Sequence, residues 1–495
     1  MTRIKPSTLL RTGIILFWCG MFFMLVAKNT NIFTRVLSAL PLAEIKNSEE
    51  WMGIYFGNKK IGYVHTTYAN ADGNQKVIEQ SFLKLKIMDQ PREVRTIGDA
   101  LFTLKGSLLS FTFSITSGEV TLVVSGESKE KGIALKIKTG GTTREEFLKT
   151  AGPVYISQGL KFFIQQQKIK PGDKYTIQML DPSILKDARM EIEVLDEETI
   201  DFSGKKIKTS RIKSSFMGME TTTWLSPGGE ALREQGPMGT LAIRETSTEA
   251  LNKGWAEDEE MDFILATAVP VKNEISSPDS ISYLKMKITG LDAEKLDLND
   301  HRQRFAGNIL EIKKELPEEI NQAKLYKLPY PEADMKNLLA PTPLIQSDSI
   351  EIKSVIKEIL GNTTDAVLAV NLLNRWVYNN LKKISTISVP SAIEVLKSRR
   401  GDCNEHTVLF TALARAAGIP TKTAAGLVYQ KGHFFYHAWA VVYLGHWVTV
   451  DPTFNQFPAD TTHIKLAEGD IADWIKLVPL IGRIQIEILE KVEEY

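Results

Sequence analysis

Between residues 50 and 248 apolar and polar side chains alternate in short runs broken by turn signals, a period-two pattern that an antiparallel sheet satisfies and a helix does not. The runs at 52–55, 62–67, 102–104, 110–116, 120–124 and 133–137 carry the alternation. Ala71-Asp72-Gly73, Ser117-Gly118 and Ser226-Pro227-Gly228-Gly229 supply turns of the required kind. One large antiparallel sheet is therefore expected. A charged stretch at 255–260 marks a change of domain or a short helix bridging one, after which 280–290 and 308–313 alternate again, as a smaller β domain would. Leu339-Ala340-Pro341-Thr342-Pro343 reads as a linker. Beyond Ser349 the period changes: Ile350, Ile352, Val355, Ile356 and Ile359 fall at helical spacing. Val367, Val370, Leu373 and Val377 then form the stripe of an amphipathic helix over 366–381. A chain of 495 residues exceeds one ordinary core, and the expected units are 1–30, 31–253, 254–338 and 339–495, the last of them α+β.

The first thirty residues differ in kind. Residues 12–27 (TGIILFWCGMFFMLVA) carry no charge and are bounded by Arg11 and Lys28. The run is at the short edge of the ~17–25 residues that span a bilayer and near the top of the range for a signal-peptide core. Arg3, Lys5 and Arg11 precede it, so the positive-inside tendency keeps the N-terminus cytoplasmic and exports the rest. Leu25 stands two positions before Ala27, a poor cleavage signal, so an uncleaved single-pass anchor in the inner membrane is expected rather than a removed signal sequence. Lys+Arg and Asp+Glu both number 60, and this zero net charge argues against a nucleic-acid partner. Of two cysteines, Cys19 falls inside the apolar run, which leaves Cys403 without a disulfide partner in the exported part. A lone thiol in an oxidising compartment needs either deep burial or a use.

The surroundings of Cys403 suggest a use. Arg400-Gly401-Asp402-Cys403-Asn404-Glu405-His406 opens a helical run that Gly418-Ile419-Pro420 stops. Asp402 and Glu405 are spaced as a capping box, which makes Asp402 the N-cap and Cys403 the first helical residue. Free N–H groups and the positive end of the helix dipole favour a thiolate there and lower its pKa. Downstream, 436–443 and 447–450 are aromatic and β-branched runs joined by a short Gly-containing turn, as in a hairpin. A turn centred on Leu444 puts His437 and Asp451 opposite each other, near enough for the carboxylate to orient the imidazole as a general base. Cys403-x-x-His406 and His433-x-x-x-His437 also have metal-like spacings. That alternative leaves Asp451 without a role, and two residues four apart on a strand lie ~13 Å from each other. His406, His433 and His446 otherwise read as surface or supporting polar groups, and His65, His301 and His463 carry no pattern.

Gly401-Asp402-Cys403, His437-Ala438-Trp439 and Asp451-Pro452-Thr453, in this order with a helix-to-strand passage between them, resemble the transglutaminase-like superfamily. The resemblance implies a papain-like α+β domain in which Cys403 is the nucleophile, His437 the base and Asp451 the group that orients it. It implies a thiol-dependent acyl-transfer enzyme acting on peptide or protein substrates in the envelope, with amide hydrolysis favoured over cross-linking. No cofactor or metal is expected, since the calcium-binding insertions of the cross-linking enzymes are not recognisable. The segments 51–57 and 223–229 are similar to curved open sheets of bacterial envelope proteins that carry or sense apolar ligands. Two alternatives stand beside the enzyme: a binding or scaffold protein that keeps the fold without turnover, and an apolar-ligand carrier working through the β domain.

Overall fold

The computed structural model describes residues 47–494 except 88–89, 105, 119, 151, 168, 253–261, 272, 317, 319, 321–325 and 385–388. The apolar run at 12–27, where the anchor is expected, and the charged stretch at 255–260 lie outside the described residues. Among the described residues no helix is long and apolar enough to cross a membrane.

The alternating half of the chain forms one sheet of fifteen strands. Its first strand, Ser48–Phe56, pairs with Lys59–Ala71 on one side and with Leu241–Glu245 on the other. Two meanders are thereby joined: one runs out to Thr142–Lys149, the other returns from Lys174–Asp181. The period-two pattern buries Val77, Phe102, Phe111, Leu122, Val124 and Ile137 together. Helix α1 (Leu160–Gln166) covers this apolar face. Phe162 meets Phe102 at 5.3 Å, edge to face, and Phe163 joins a second cluster with Ile177, Met179 and Ile192. Lys161 Nζ reaches the Glu50 carboxylate at 2.6 Å, which ties the helix down. An apolar ligand on this face would have to displace those phenylalanines.

Among the described residues beyond Ser349 there are four α-helices: α2 (Ile350–Leu360), α3 (Ala366–Asn380), α4 (Ala392–Ser398) and α5 (Cys403–Ala416). Ser349, Asp365, Ser391 and Asp402 cap them, each accepting a hydrogen bond from a first-turn N–H. On α3 the buried face is Ala366, Ala369, Val370, Leu373, Asn374 and Val377, and Val367 of the predicted stripe is only half-buried at its edge. Helix α5 is central. Val408, Leu409, Phe410, Ala412, Leu413 and Ala414 are all buried, because helices lie on one side of it and a sheet on the other.

The strands expected for the smaller β domain, β1 (Ile281–Thr289), β2 (Gln303–Ala306) and β3 (Ile309–Lys313), make a sheet in the order β2-β3-β1. Its fourth strand comes from the far end of the chain, Gln485–Glu493, paired with β1. A third sheet holds β4 (Thr421–Gln430), β5 (His433–Tyr443), β6 (Trp447–Val450) and β7 (Ile464–Gly469), with β4 between β5 and β7 and with β6 on β5. All three sheets belong to one unit, Leu42–Tyr495. Helix α4 is seated on turns of the large sheet. The Glu394 carboxylate accepts from Thr121 N–H at 3.3 Å and from the Thr139 hydroxyl at 3.1 Å, and Lys397 Nζ donates to the Gly140 carbonyl at 2.8 Å.

Gly426 sits directly opposite His437 in the β4–β5 ladder, and a Cβ there would collide with the Ile464 carbonyl of β7. Gly426→Ala is expected to force β4 and β7 apart and to lower stability by about 1–3 kcal/mol. Urea unfolding of the two proteins checks this, and an unchanged midpoint would contradict the close approach.

Candidate functional site

Helix α5 begins as the sequence predicts. Asp402 accepts from Asn404 N–H at 3.0 Å, the Glu405 carboxylate accepts from Asp402 N–H at 2.8 Å, and the capping box is closed. Gly401 permits this closure, since its φ is +153° and a Cβ there would strike the Glu405 side chain. Cys403 comes next as the first helical residue, half-buried, with its Sγ 3.8 Å from Asn404 Oδ1. Ala438 N–H, beside His437 on β5, points at the thiol.

The expected effect of the helix N-terminus on this thiol is overturned. Burial pushes the Cys403 thiol well above its usual range, the Asp402 charge adds to that, Glu405 and Asp451 contribute in the same direction, and the Ala438 N–H opposes them. A helix end carries roughly half a positive charge, which desolvation and the capping carboxylates outweigh. Burial and the neighbouring carboxylates thus work against the thiolate that the helix end favours.

His437 and Asp451 come together. His437 Nε2 lies 2.7 Å from Asp451 Oδ2. The route differs from the expected one: Ala440 pairs with Val450 and Tyr443 with Trp447, so the turn centres on Gly445 and Asp451 falls two positions off His437 in register. A shift of two keeps both side chains on one face of the hairpin, and the carboxylate reaches the ring diagonally. The other carboxylate oxygen accepts from Thr453 N–H at 2.7 Å and Phe454 N–H at 3.1 Å. Phe454 returns to stack on His437, centroids 4.9 Å apart and planes 7° apart. That leaves Nδ1 of His437 as the nitrogen for proton exchange.

His463, which no sequence pattern singled out, completes the cluster. Its Nε2 is 2.9 Å from Asp451 Oδ2 and its Nδ1 is 3.1 Å from Asp460 Oδ1. Burial would hold Asp451 up in pKa, but the charges and hydrogen bonds of His437 and His463 outweigh it and keep that carboxyl well below the usual range. Burial likewise acts against the charged His463 ring, yet Asp460 and Asp451 push it up to about 9. The only signals for His463 are its three-residue spacing from Asp460 and its place just before β7.

The metal alternative fares differently from its expected form. Atoms of His437, Asp451 and His463 lie within 4.8 Å of one another, whereas Cys403, His406 and His433 take no part in that group. His406 Nδ1 is held by the Asp402 carbonyl at 2.7 Å, and His433 Nδ1 by the Lys431 carbonyl at 3.3 Å. The two imidazole contacts converge on one carboxylate oxygen at hydrogen-bond distance, which is the geometry of shared protons.

The segment that carries Asp451, Asp460 and His463 is held from outside its own sheet. Buried Arg302 donates to Glu315 at 3.1 Å, to the Thr449 hydroxyl at 2.8 Å, to the Ala459 carbonyl at 2.8 Å and to the Asp460 carbonyl at 2.6 Å. Glu315 also binds Thr449, through its N–H at 3.1 Å and through its hydroxyl. Gln303 of β2 exchanges two hydrogen bonds with the backbone of Lys465. Beside the start of α5 a cleft of about 520 Å³ opens between the large sheet and the helices, lined by Arg92, Ser117, Glu394, Lys397, Arg400 and Glu405 among others.

Residues 353–452 match the family model described as the transglutaminase-like superfamily, so the C-terminal part of the chain carries a transglutaminase-like domain. A protein of Haemophilus influenzae, itself uncharacterized, is 29% identical over a stretch covering 27% of this chain and 42% of that relative. The chain thus spans less than half the length of that curated relative. A structure from Cytophaga hutchinsonii described as a candidate cysteine protease is 19% identical, with a TM-score of 0.29, over 44% of this chain and 86% of that one. A β-barrel-like protein of unknown function from Brucella abortus is 9% identical, with a TM-score of 0.33, over 41% of this chain and 98% of its own. At these scores neither structure adds to the geometry of the site.

Because the His463 ring holds its proton more tightly when folded, it contributes stability that is complete below about pH 6.5, the ordinary histidine value, and is lost as pH rises toward about 9. The stability difference between the wild-type chain and His463→Gln should therefore be flat in mildly acidic solution and shrink through the alkaline range. Urea midpoints of the pair across that range check the sign; a difference that widens with pH would contradict it.

Proposed function

We propose that the transglutaminase-like domain is a thiol acyl-transfer enzyme that hydrolyses peptide or isopeptide amide bonds in the cell envelope, with Cys403 as nucleophile. The supporting observation is the His437–Asp451 hydrogen bond of 2.7 Å on the strand whose Ala438 N–H faces the Cys403 thiol. In this reading His437 Nδ1 takes the thiol proton and the imidazolium so formed stabilises the thiolate. Sulfur adds to the amide carbonyl carbon, the C–N bond breaks, and His437 returns the proton to the departing amine. Water then attacks the thioester and the thiol is restored. The capping box uses Asn404 N–H and Glu405 N–H, so Cys403 N–H is the first-turn donor left for the developing oxyanion. The cleft between the large sheet and α4 is the proposed approach for an extended chain, with the large sheet as one wall. The charge asymmetry around residues 12–27 supports placing the whole outside the inner membrane, anchored by that run.

The scaffold alternative draws on one observation, the upward push on the Cys403 thiol by burial and Asp402. The two readings differ in what the thiol does. For an enzyme, peptides released from envelope material by the wild-type chain should carry new amine ends that are absent after incubation with Cys403→Ala, as read by mass spectrometry. His437→Ala should lower the rate by about 10³-fold or more. Identical peptide profiles for wild type and Cys403→Ala would favour the scaffold.

A further inference from the structure

The proposed mechanism uses Asp451 but gives no work to the buried ring behind it. We propose that His463 is a positioning residue of the thiol site: an imidazolium fixed between Asp451 and Asp460 that aims Asp451 at His437 and, through its charge, offsets the buried carboxylate beside the thiol. The inference rests on the reading of Cys403 as a nucleophile and adds a fourth and a fifth residue to it.

The geometry requires the charge. Both ring nitrogens of His463 face carboxylate oxygens, at 2.9 and 3.1 Å. A neutral imidazole has one N–H, so its other nitrogen would turn a lone pair on a carboxylate, and full burial leaves no water to relieve that contact. Only the doubly protonated ring donates to both. Asp460 cannot swing away, because it accepts from Thr462 N–H at 2.8 Å, the Thr462 hydroxyl at 2.6 Å and Gln456 at 2.7 Å. With this ring in place Asp451 receives four N–H donors, two from backbone and two from imidazoles, and its orientation is fully determined.

The charged groups facing His463 from each side are few. His437 on β5 has its ring centroid 5.7 Å away, Asp451 lies past the end of β6, and Asp460 is on the same loop. From the small sheet, Arg302 reaches the Asp460 carbonyl and pairs with Glu315, which His301 also contacts. Lys465 is close in sequence, but its ammonium is paired with Asp297, Asp300 and Glu468. Trp439 and Phe454 supply neutral walls at 5.3 and 6.3 Å. A unit charge ~6 Å from another at an effective dielectric near 20 is worth about 1–2 pH units. His463 therefore offsets part of the Asp451 charge that would otherwise face the thiol site.

The two sides of the relay predict shifts of opposite sign, which a merely structural role would not. The readout is the rate of Cys403 alkylation by iodoacetamide in the full chain, followed on the Cys403 peptide by mass spectrometry from about pH 4 to 10. His463→Gln removes a positive charge and should move the pH limbs of labelling up by about 1–2 units. Asp460→Asn removes a negative charge and should move them down. Limbs that stay put, or that shift in the same direction in both variants, overturn the role of His463. A wild-type profile like that of a free thiol and unaffected by His437→Ala would instead defeat the nucleophile reading itself. A measurement on the wild-type chain guards against misfolded variants: of its seven histidines, ¹⁵N NMR should find His463 doubly protonated well past neutrality, to about pH 9. A His463 that titrates at or below the ordinary histidine value would sink the proposal.

Discussion

One buried carboxylate organises this site. Asp451 has no solvent exposure, and an ionised carboxylate in that position is tolerated only if its oxygens are fully engaged. Here one oxygen takes the N–H groups of Thr453 and Phe454 and the other takes the rings of His437 and His463. The backbone turn that supplies the first pair also swings Phe454 over the His437 ring. Orientation of the imidazole is thus a consequence of satisfying Asp451, not a separate device.

The carboxylate can do this only because the chain around it is held still. Residues between β6 and β7 have little strand pairing of their own, and the small sheet provides what they lack. Arg302 takes the carbonyls of Ala459 and Asp460, while Glu315 grips Thr449. Burial would push the Glu315 carboxyl up, but the His301 hydrogen bond and the Arg302 charge outweigh it and hold it below the ordinary value. The guanidinium and carboxylate therefore neutralise each other within the interface while each still reaches across it. The sheet that does this is itself completed by the C-terminal strand Gln485–Glu493, so the far end of the chain supports the site as well. On the opposite side, α4 docks on the large sheet through Glu394 and Lys397, and α4 leads straight into the Arg400-Gly401-Asp402 approach to Cys403.

Local rules made much of this legible in the sequence. The change from period two to helical period separated the large sheet from the helices, and the Asp402 and Glu405 spacing located the start of α5 because a capping box is settled by four consecutive residues. The pairing of His437 with Asp451 was readable for a subtler reason: the hairpin is two residues out of the expected register, and an even shift leaves the faces unchanged. What escaped was everything set by tertiary neighbours. His463 and Asp460 meet Arg302 and Glu315 only after the two smaller sheets have packed, and beyond the three-residue spacing of Asp460 and His463 nothing in the chain hints at it. The sign of the thiol shift was missed for the same reason, since the helix end is a local property while desolvation belongs to the assembled protein.

If the site works as proposed, Asp451 holds His437 against a reactive Cys403. A crystal structure of the full chain after reaction with an electrophilic peptide analogue tests this most directly. The prediction is a covalent adduct on Cys403 Sγ with His437 Nδ1 within hydrogen-bond reach of the sulfur or leaving atom, and Nε2 still on Asp451. An unmodified Cys403, or an adduct with the imidazole turned away from it, would contradict the claim.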